Sequence, residues 1–178
     1  DASPKLAILY YALLKRRREM ELVRFTELKV LVKPKTGYVN LTKKVVEAVR
    51  KSGVRSGQVT VQTLHTTTAL LLQEDEPGFI RDLQKRIAWI FPQHYKRRGK
   101  RRLEYYEHDD LKKRKNPQPD ERRNGFAHCR VSLLSASVML IVNRGRPVLG
   151  EWQQVLFFDC DPKGRPPRRL RLMVMGMP

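Results

Sequence analysis

Cysteine is nearly absent from this chain. Cys129 and Cys160 are the only two in 178 residues, and their spacing fits neither a zinc site nor a disulfide framework. The expected state is a reduced, cytoplasmic protein with two small buried thiols. Long hydrophobic runs are missing too. None approaches the ~20 apolar residues that a helix needs to cross a bilayer, so no membrane span is expected. The apolar opening from Ala2 to Leu14 has no basic stretch before it and no small-residue cleavage pattern after it, so it does not read as a signal peptide. Acid is also scarce, with 18 Asp and Glu against 37 Lys and Arg, a net charge of +19. Such a field attracts nucleic acid or phosphate-bearing metabolites. Much of the excess sits in runs, at Lys15 to Arg18, Lys96 to Arg102 and Lys112 to Lys115, and no RNA- or DNA-binding motif accompanies them. A phosphorylated small molecule is therefore the first choice of partner and nucleic acid the second.

What is present suits one domain. Residues 1–19 read as an N-terminal extension, with Leu6, Leu9, Leu13 and Leu14 on one helical face, and residues 20–178 as a single compact unit. Glu21 to Lys33 reads as a strand. A helix follows, capped by Asn40 or Thr42 and stopped at Gly53. Gln58 to Leu64 and Ala69 to Leu72 read as strands. Glu74-Asp75-Glu76-Pro77 then opens a second helix, because acids favour the positive end of the helix dipole and proline suits the first turn. Pro92 ends it, and a long basic loop from Gln93 to Arg123 follows. Ala127 to Leu134 reads as a short helix, and Ser137 to Val142, Gln153 to Asp159 and Arg168 to Met175 as strands. Few helices and many antiparallel-looking strands predict an α+β architecture.

The stretch Leu64-His65-Thr66-Thr67-Thr68-Ala69-Leu70-Leu71-Leu72-Gln73-Glu74 puts polar groups at both ends of an apolar strand. His65, His108 and His128 all have polar neighbours, whereas His94 lies at the edge of the basic loop and is assigned no role. Imidazole exchanges protons near neutral pH and ligates metals. One reading gathers these three histidines into a pocket with Glu74 or Asp109 as acid–base partner. The other makes each an ordinary residue bonded locally, since none has a metalloprotease or zinc-finger spacing. Threonine is a common strand residue, but the hydroxyls of Thr66 and Thr67 with nearby backbone N–H groups also suit phosphate oxygens. Asn124-Gly125 offers exposed donors at a tight turn. Trp152 and Gln153 suit the wall of a ring-binding pocket, although a tryptophan entering a strand is commonly core.

Taken together, His65-Thr66-Thr67-Thr68-Ala69-Leu70 with Gln73-Glu74, Tyr106-Glu107-His108-Asp109, Asn124-Gly125-Phe126-Ala127-His128 and Leu149-Gly150-Glu151-Trp152-Gln153 resemble the YjbQ family, known as secondary thiamine-phosphate synthase enzymes. The likeness runs from about Glu21 to Gly176. It implies an α+β fold whose antiparallel sheets form a sandwich-like core with a few helices, assembled as a trimer or a pair of trimers. It also implies a weak activity joining a thiazole phosphate to a pyrimidine pyrophosphate. The implied site has His65, Glu74, His108, Asp109 and His128 as catalytic groups. Thr66, Thr67, Arg123, Asn124, Gly125, Trp152 and Gln153 would bind substrate, with Arg122 helping to draw in the anion. A divalent metal, zinc or magnesium, on His65, His108 and His128 is a further expectation. The chain departs from the family pattern at Gln73, where asparagine is usual, at Glu151, where threonine or serine is usual, and in the length of its basic loop. The alternatives are a non-enzymatic anion or nucleic-acid binder that works through the basic loop, and a structural subunit whose pocket has lost activity.

Overall fold

The structure, a computed structural model, describes residues 8–11, 21–97, 100–118 and 120–178. Of the leading segment only the helical residues 8–11 are described. Lys15 to Arg18, and part of the run from Lys96 to Arg102, lie outside the described residues.

Among the described residues, ten strands build three antiparallel sheets. The largest contains β1 (Leu22–Val30), β3 (Ser56–Thr63), β7 (Ser137–Asn143), β8 (Arg146–Pro147) and β10 (Arg168–Met177), in the order β1-β10-β3-β7-β8. A second joins β2 (Tyr38–Asn40), β9 (Gln154–Asp159) and β4 (Thr68–Gln73). The third is a separate hairpin of β5 (His94–Arg97) and β6 (Lys100–Leu103).

Alternation decides the packing. On the large sheet, Val59, Val61, Leu140, Val142, Leu170, Leu172 and Val174 are buried, while the residues between them face outward. The buried set meets Leu70, Val155 and Phe157 of the second sheet and Val45 and Val49 of helix α1 (Thr42–Ser52) in one core. Strand β9 is covered on both faces: Val155 and Phe157 join that core, and Leu156 and Phe158 pack against Ile80 of helix α2 (Pro77–Ile90). Burial on both faces explains why β9 is a continuous apolar run rather than an alternating one. Each such buried side chain contributes about 1.5–3 kcal/mol.

The helix boundaries follow local chemistry. α1 begins where Asn40 Oδ1 accepts the N–H of Thr42 at 2.9 Å, and ends at Gly53, whose φ of 78° is the left-handed stop. Glu76 caps α2 by accepting from the N–H groups of Gly78 (2.6 Å) and Phe79 (2.5 Å), ahead of Pro77 in the first turn. The third helix, α3 (Gly125–Val131), starts two residues earlier than the sequence suggested. β2 and β8 were not anticipated from the sequence, because two or three residues carry no readable period. The segment expected to be a long loop instead folds into the β5–β6 hairpin and a single 3-10 turn at Glu107–Asp109.

Candidate functional site

Four separated segments converge on a cavity of about 500 Å³ at one end of the second sheet. The turn between β3 and β4 contributes Leu64, His65, Thr66 and Thr67. The segment after the hairpin contributes His108 and Arg114, and the start of α3 contributes Arg122, Asn124 and His128. Arg165 and Arg168, from the β9–β10 turn and the first residue of β10, complete the wall.

His65 takes the place of a backbone carbonyl. Its Nε2 accepts the N–H of Arg169 at 2.8 Å, beside the backbone bond from Leu64 N–H to the Arg169 carbonyl at 3.1 Å. A backbone amide only donates, so Nε2 is unprotonated and Nδ1 carries the proton. Burial, then the charge of Arg168, holds the imidazole below its ordinary value and so neutral. His65 is therefore a fixed neutral donor in this arrangement, and its Nε2 is unavailable as base or metal ligand.

His108 and His128 lie face to face, with ring centroids 4.4 Å apart and planes inclined by 34°. Nδ1 of His108 is 3.3 Å from Oδ1 of Asp109, and the same oxygen accepts the N–H of Gly125 at 2.8 Å. Asp109 thus ties the 3-10 turn to the start of α3 and orients His108 with Nε2 free. Gly125 is required there, because a Cβ would come within 2.6 Å of Tyr106 Cβ, while Tyr106 is itself held by its hydroxyl on the Pro92 carbonyl at 2.8 Å. His128 is kept below the ordinary histidine value, mainly by burial and then by the neighbouring His108.

The arginines are positioned by carboxylates. Arg168 pairs with Asp159 in a buried contact, Nε to Oδ2 at 2.6 Å, and its Nη2 lies 3.4 Å from Thr67 Oγ1. Asp161 accepts from Asn124 Nδ2 at 3.0 Å and from Arg165 Nε at 3.0 Å, and lies 3.5 Å from Arg122. Arg114 pairs with Glu121. A guanidinium has five N–H donors, so each arginine keeps donors beyond its carboxylate, and they are pre-aimed rather than free to reorganise.

Sequence reasoning missed Asp159, Asp161, Arg165 and Arg168. Their stretch reads as a turn between strands, and its signal was the pair of acids flanked by basic residues. Thr68, by contrast, is structural: its hydroxyl is shared with Thr63 and with the His65 carbonyl. Gly125 and Arg123 sit beside the cavity, where Arg123 lines an adjoining cleft with Tyr105, Tyr106 and Phe126.

Glu74, Trp152 and Gln153 do not join the histidines. β4 and β9 pair with Thr68 opposite Asp159 at the histidine end and Gln73 opposite Gln154 at the other. At ~3.3 Å per residue the two ends are about 17 Å apart. Placing Glu74 in the histidine pocket is therefore corrected, since a strand cannot bring both its ends to one point. At that far end Asp75 accepts from Tyr38 and from Asn40, both at 2.8 Å, and Gln153 Oε1 accepts the Gly150 N–H at 2.9 Å.

A metal does not fit the side chains as they stand. Among the described residues no group of three or more His, Cys, Asp or Glu is arranged to hold one. Nε2 of His65 is taken by Arg169 and Nδ1 of His108 faces Asp109. Both cysteines are free, and burial pushes the Cys160 thiol up to about 11.

The family model described as UPF0047 protein YjbQ-like matches residues 26–177. The chain belongs to the YjbQ family. Among its relatives is a UPF0047 protein of Archaeoglobus fulgidus, 32% identical over 139 residues, spanning 78% of this chain and 90% of the relative. UPF0047 protein YugU of Bacillus subtilis is 25% identical over 139 residues, covering 78% and 89%. A crystal structure described as a YbjQ-like protein of unknown function from Sulfolobus solfataricus superposes with a TM-score of 0.71 at 23% identity, covering 88% of this chain and 99% of the other. The YjbQ-like α+β fold with antiparallel sheets is thus shared with a solved member. Among the described residues no helix is long and apolar enough to cross a membrane.

Proposed function

We propose that the cavity binds a phosphorylated small molecule and that His108 and His128 exchange protons with it. The observation that carries this reading is convergence: histidines from three segments line one cavity with four carboxylate-positioned arginines. The thiamine-phosphate-forming reaction suits such a site. The thiazole nitrogen forms a bond to the pyrimidine methylene carbon while the carbon–oxygen bond to pyrophosphate breaks. The arginines, Thr66, Thr67 and Asn124 would hold phosphate oxygens and disperse the leaving group's charge. His108, oriented by Asp109, and the neutral His128 would supply and accept protons at the departing pyrophosphate. His65 would donate from Nδ1 as a fixed binding group.

The test gives purified protein both thiamine precursors. Wild type should form thiamine phosphate about 10²–10⁴-fold faster than a His108→Ala, His128→Ala double variant. Equal rates would retire the synthase reading. Zinc or magnesium is a separate proposal, which needs His65 to release Arg169 before it can ligate. Elemental analysis of metal-loaded wild type against His128→Ala decides it, with equal loading counting against a specific site.

A second reading has one observation of its own. The β5–β6 hairpin stands apart from both main sheets, and Lys96, Arg97, Lys100, Arg101 and Arg102 fall on its two strands. Nucleic-acid binding through it would weaken steeply with salt. Oligonucleotide affinity that is unchanged in Arg101→Ala, Arg102→Ala protein would dismiss it.

A further inference from the structure

We infer that the cleft adjoining the histidine cavity is a second binding site, and that it takes a nucleoside monophosphate. Its aromatic walls hold the base, a carboxylate accepts the exocyclic amine of the base, and a basic rim holds the phosphate. The inference stands apart from the chemistry proposed for the histidines, because the two hollows lie on opposite sides of one wall.

Neighbours along the chain alternate across that wall. His108, Arg122 and His128 line the histidine cavity, whereas Asp109, Arg123 and Phe126 line the cleft. On α3, Phe126 and His128 are two residues apart, which is about 200° around an α-helix, so they point to opposite sides. The cleft encloses about 520 Å³, a volume suited to a small ligand. Phe126 is 5% exposed, and Tyr106 is pinned by its hydroxyl to the Pro92 carbonyl at 2.8 Å, so both rings are fixed by the fold. Tyr105 and Leu103 line it as well, 61% and 57% exposed. A flat ring set among these side chains gains stacking as well as apolar burial.

Both signs of charge line the cleft, and each has capacity left over. Oδ1 of Asp109 accepts the Gly125 N–H at 2.8 Å and faces His108 Nδ1 at 3.3 Å. Its Oδ2 accepts no hydrogen bond among the described residues, although the side chain is only 16% exposed. A carboxylate oxygen so withdrawn from water calls for a donor, and among the described residues no unpartnered side-chain oxygen is fully sealed off, so a ligand can reach it. An exocyclic amine supplies that donor. Arg123 and Lys112 are exposed and make no hydrogen bond or ion pair among the described residues, which leaves two cations for a phosphate. A phosphate alone suits the cleft poorly, because Glu104, Asp109 and Asp110 also line it. An apolar ring alone leaves both kinds of charge unused. A nucleotide carries the ring, the amine and the phosphate on one scaffold. Because Asp109 also orients His108, an occupied cleft is felt across the wall at that imidazole.

Calorimetric titration of the full chain tests this. Adenosine monophosphate should bind, and inosine monophosphate, with a carbonyl in place of the amine, should bind about tenfold more weakly. Adenosine alone and ribose phosphate alone should each lose about tenfold or more, since each keeps only part of the contacts. Tyr105→Ala and Arg123→Ala change exposed side chains, so each should lower the affinity about tenfold with an unchanged circular dichroism spectrum. Asp109→Asn keeps an acceptor for Gly125 and turns a donor to the ring, so it should erase the preference for the amine. Arg165→Ala touches only the histidine cavity and should leave the affinity as it was. Saturation should also move the His108 imidazole resonances, and resonances that stay in place overturn the coupling across the wall. Failure of adenosine monophosphate to bind overturns the site itself. So does binding that Arg165→Ala abolishes and Tyr105→Ala spares, which would put the nucleotide among the histidines. Binding of a single-stranded oligonucleotide without the mononucleotide overturns it as well, in favour of the basic hairpin. None of these readouts uses the thiamine precursors, so their failure leaves the chemistry of the histidine cavity to its own assay.

Discussion

The two ends of the β4–β9 pair are built from the same residue types and behave differently. At the histidine end, Asp159 and Asp161 are buried and their charges are met by arginines from β10 and its preceding turn. At the other end, Asp75 is held only by neutral donors, Tyr38 and Asn40, and the acids next to it remain in water. Burial is what separates them. A carboxylate taken out of water needs an ionic partner and further hydrogen bonds, whereas an exposed one is hydrated and stays available for contact with something else.

The sharpest way to break this contrast is at Arg168. Removing it as Arg168→Ala strands Asp159 in the core and should cost about 3–5 kcal/mol, measured by denaturant unfolding; a loss below 1 kcal/mol would mean that the pair is not truly buried. Gly125→Ala comes next. Its Cβ would press on Tyr106 and on Asp109, at about 1–3 kcal/mol for overpacking, and the His108 imidazole resonance should shift with it. Tyr38→Phe removes one half-buried hydrogen bond at the far end and should cost about 0.5–1.5 kcal/mol by the same unfolding measurement. The gentlest probe is pH. Both His65 and His128 are held below 6.5 by burial first, then by Arg168 and His108 respectively. With folded values depressed, the unfolded chain binds the protons more tightly, so this contribution to stability is whole above 6.5 and drains away as pH falls towards the folded values. The melting temperature should drop across that window, and His128→Asn should flatten the drop.

Much of the fold was legible along the chain because period reports burial. The alternation in β1, β3, β7 and β10 and the capping signals of α1 and α2 are local properties. β2 and β8 were not legible, being too short to carry a period, and the basic stretch after Pro92 hid a hairpin because charged residues on both faces erase the alternation. The histidines and Asn124 could be named in advance as candidates, since few residue types do their chemistry. Asp159, Asp161, Arg165 and Arg168 could not, because ion pairing between a turn and the strand after it has no signature of its own.

By itself the order of residues determined the α+β class, the ends of α1 and α2, the family and the candidate histidines, all of which depend on neighbours along the chain. Only the tertiary structure decided who meets whom. It brought His65, His108 and His128 to one cavity across distant segments, turned Nε2 of His65 to Arg169, and left Glu74 and Trp152 a strand's length away. A rigid β-strand keeps its two ends apart however suggestively they sit together in one motif.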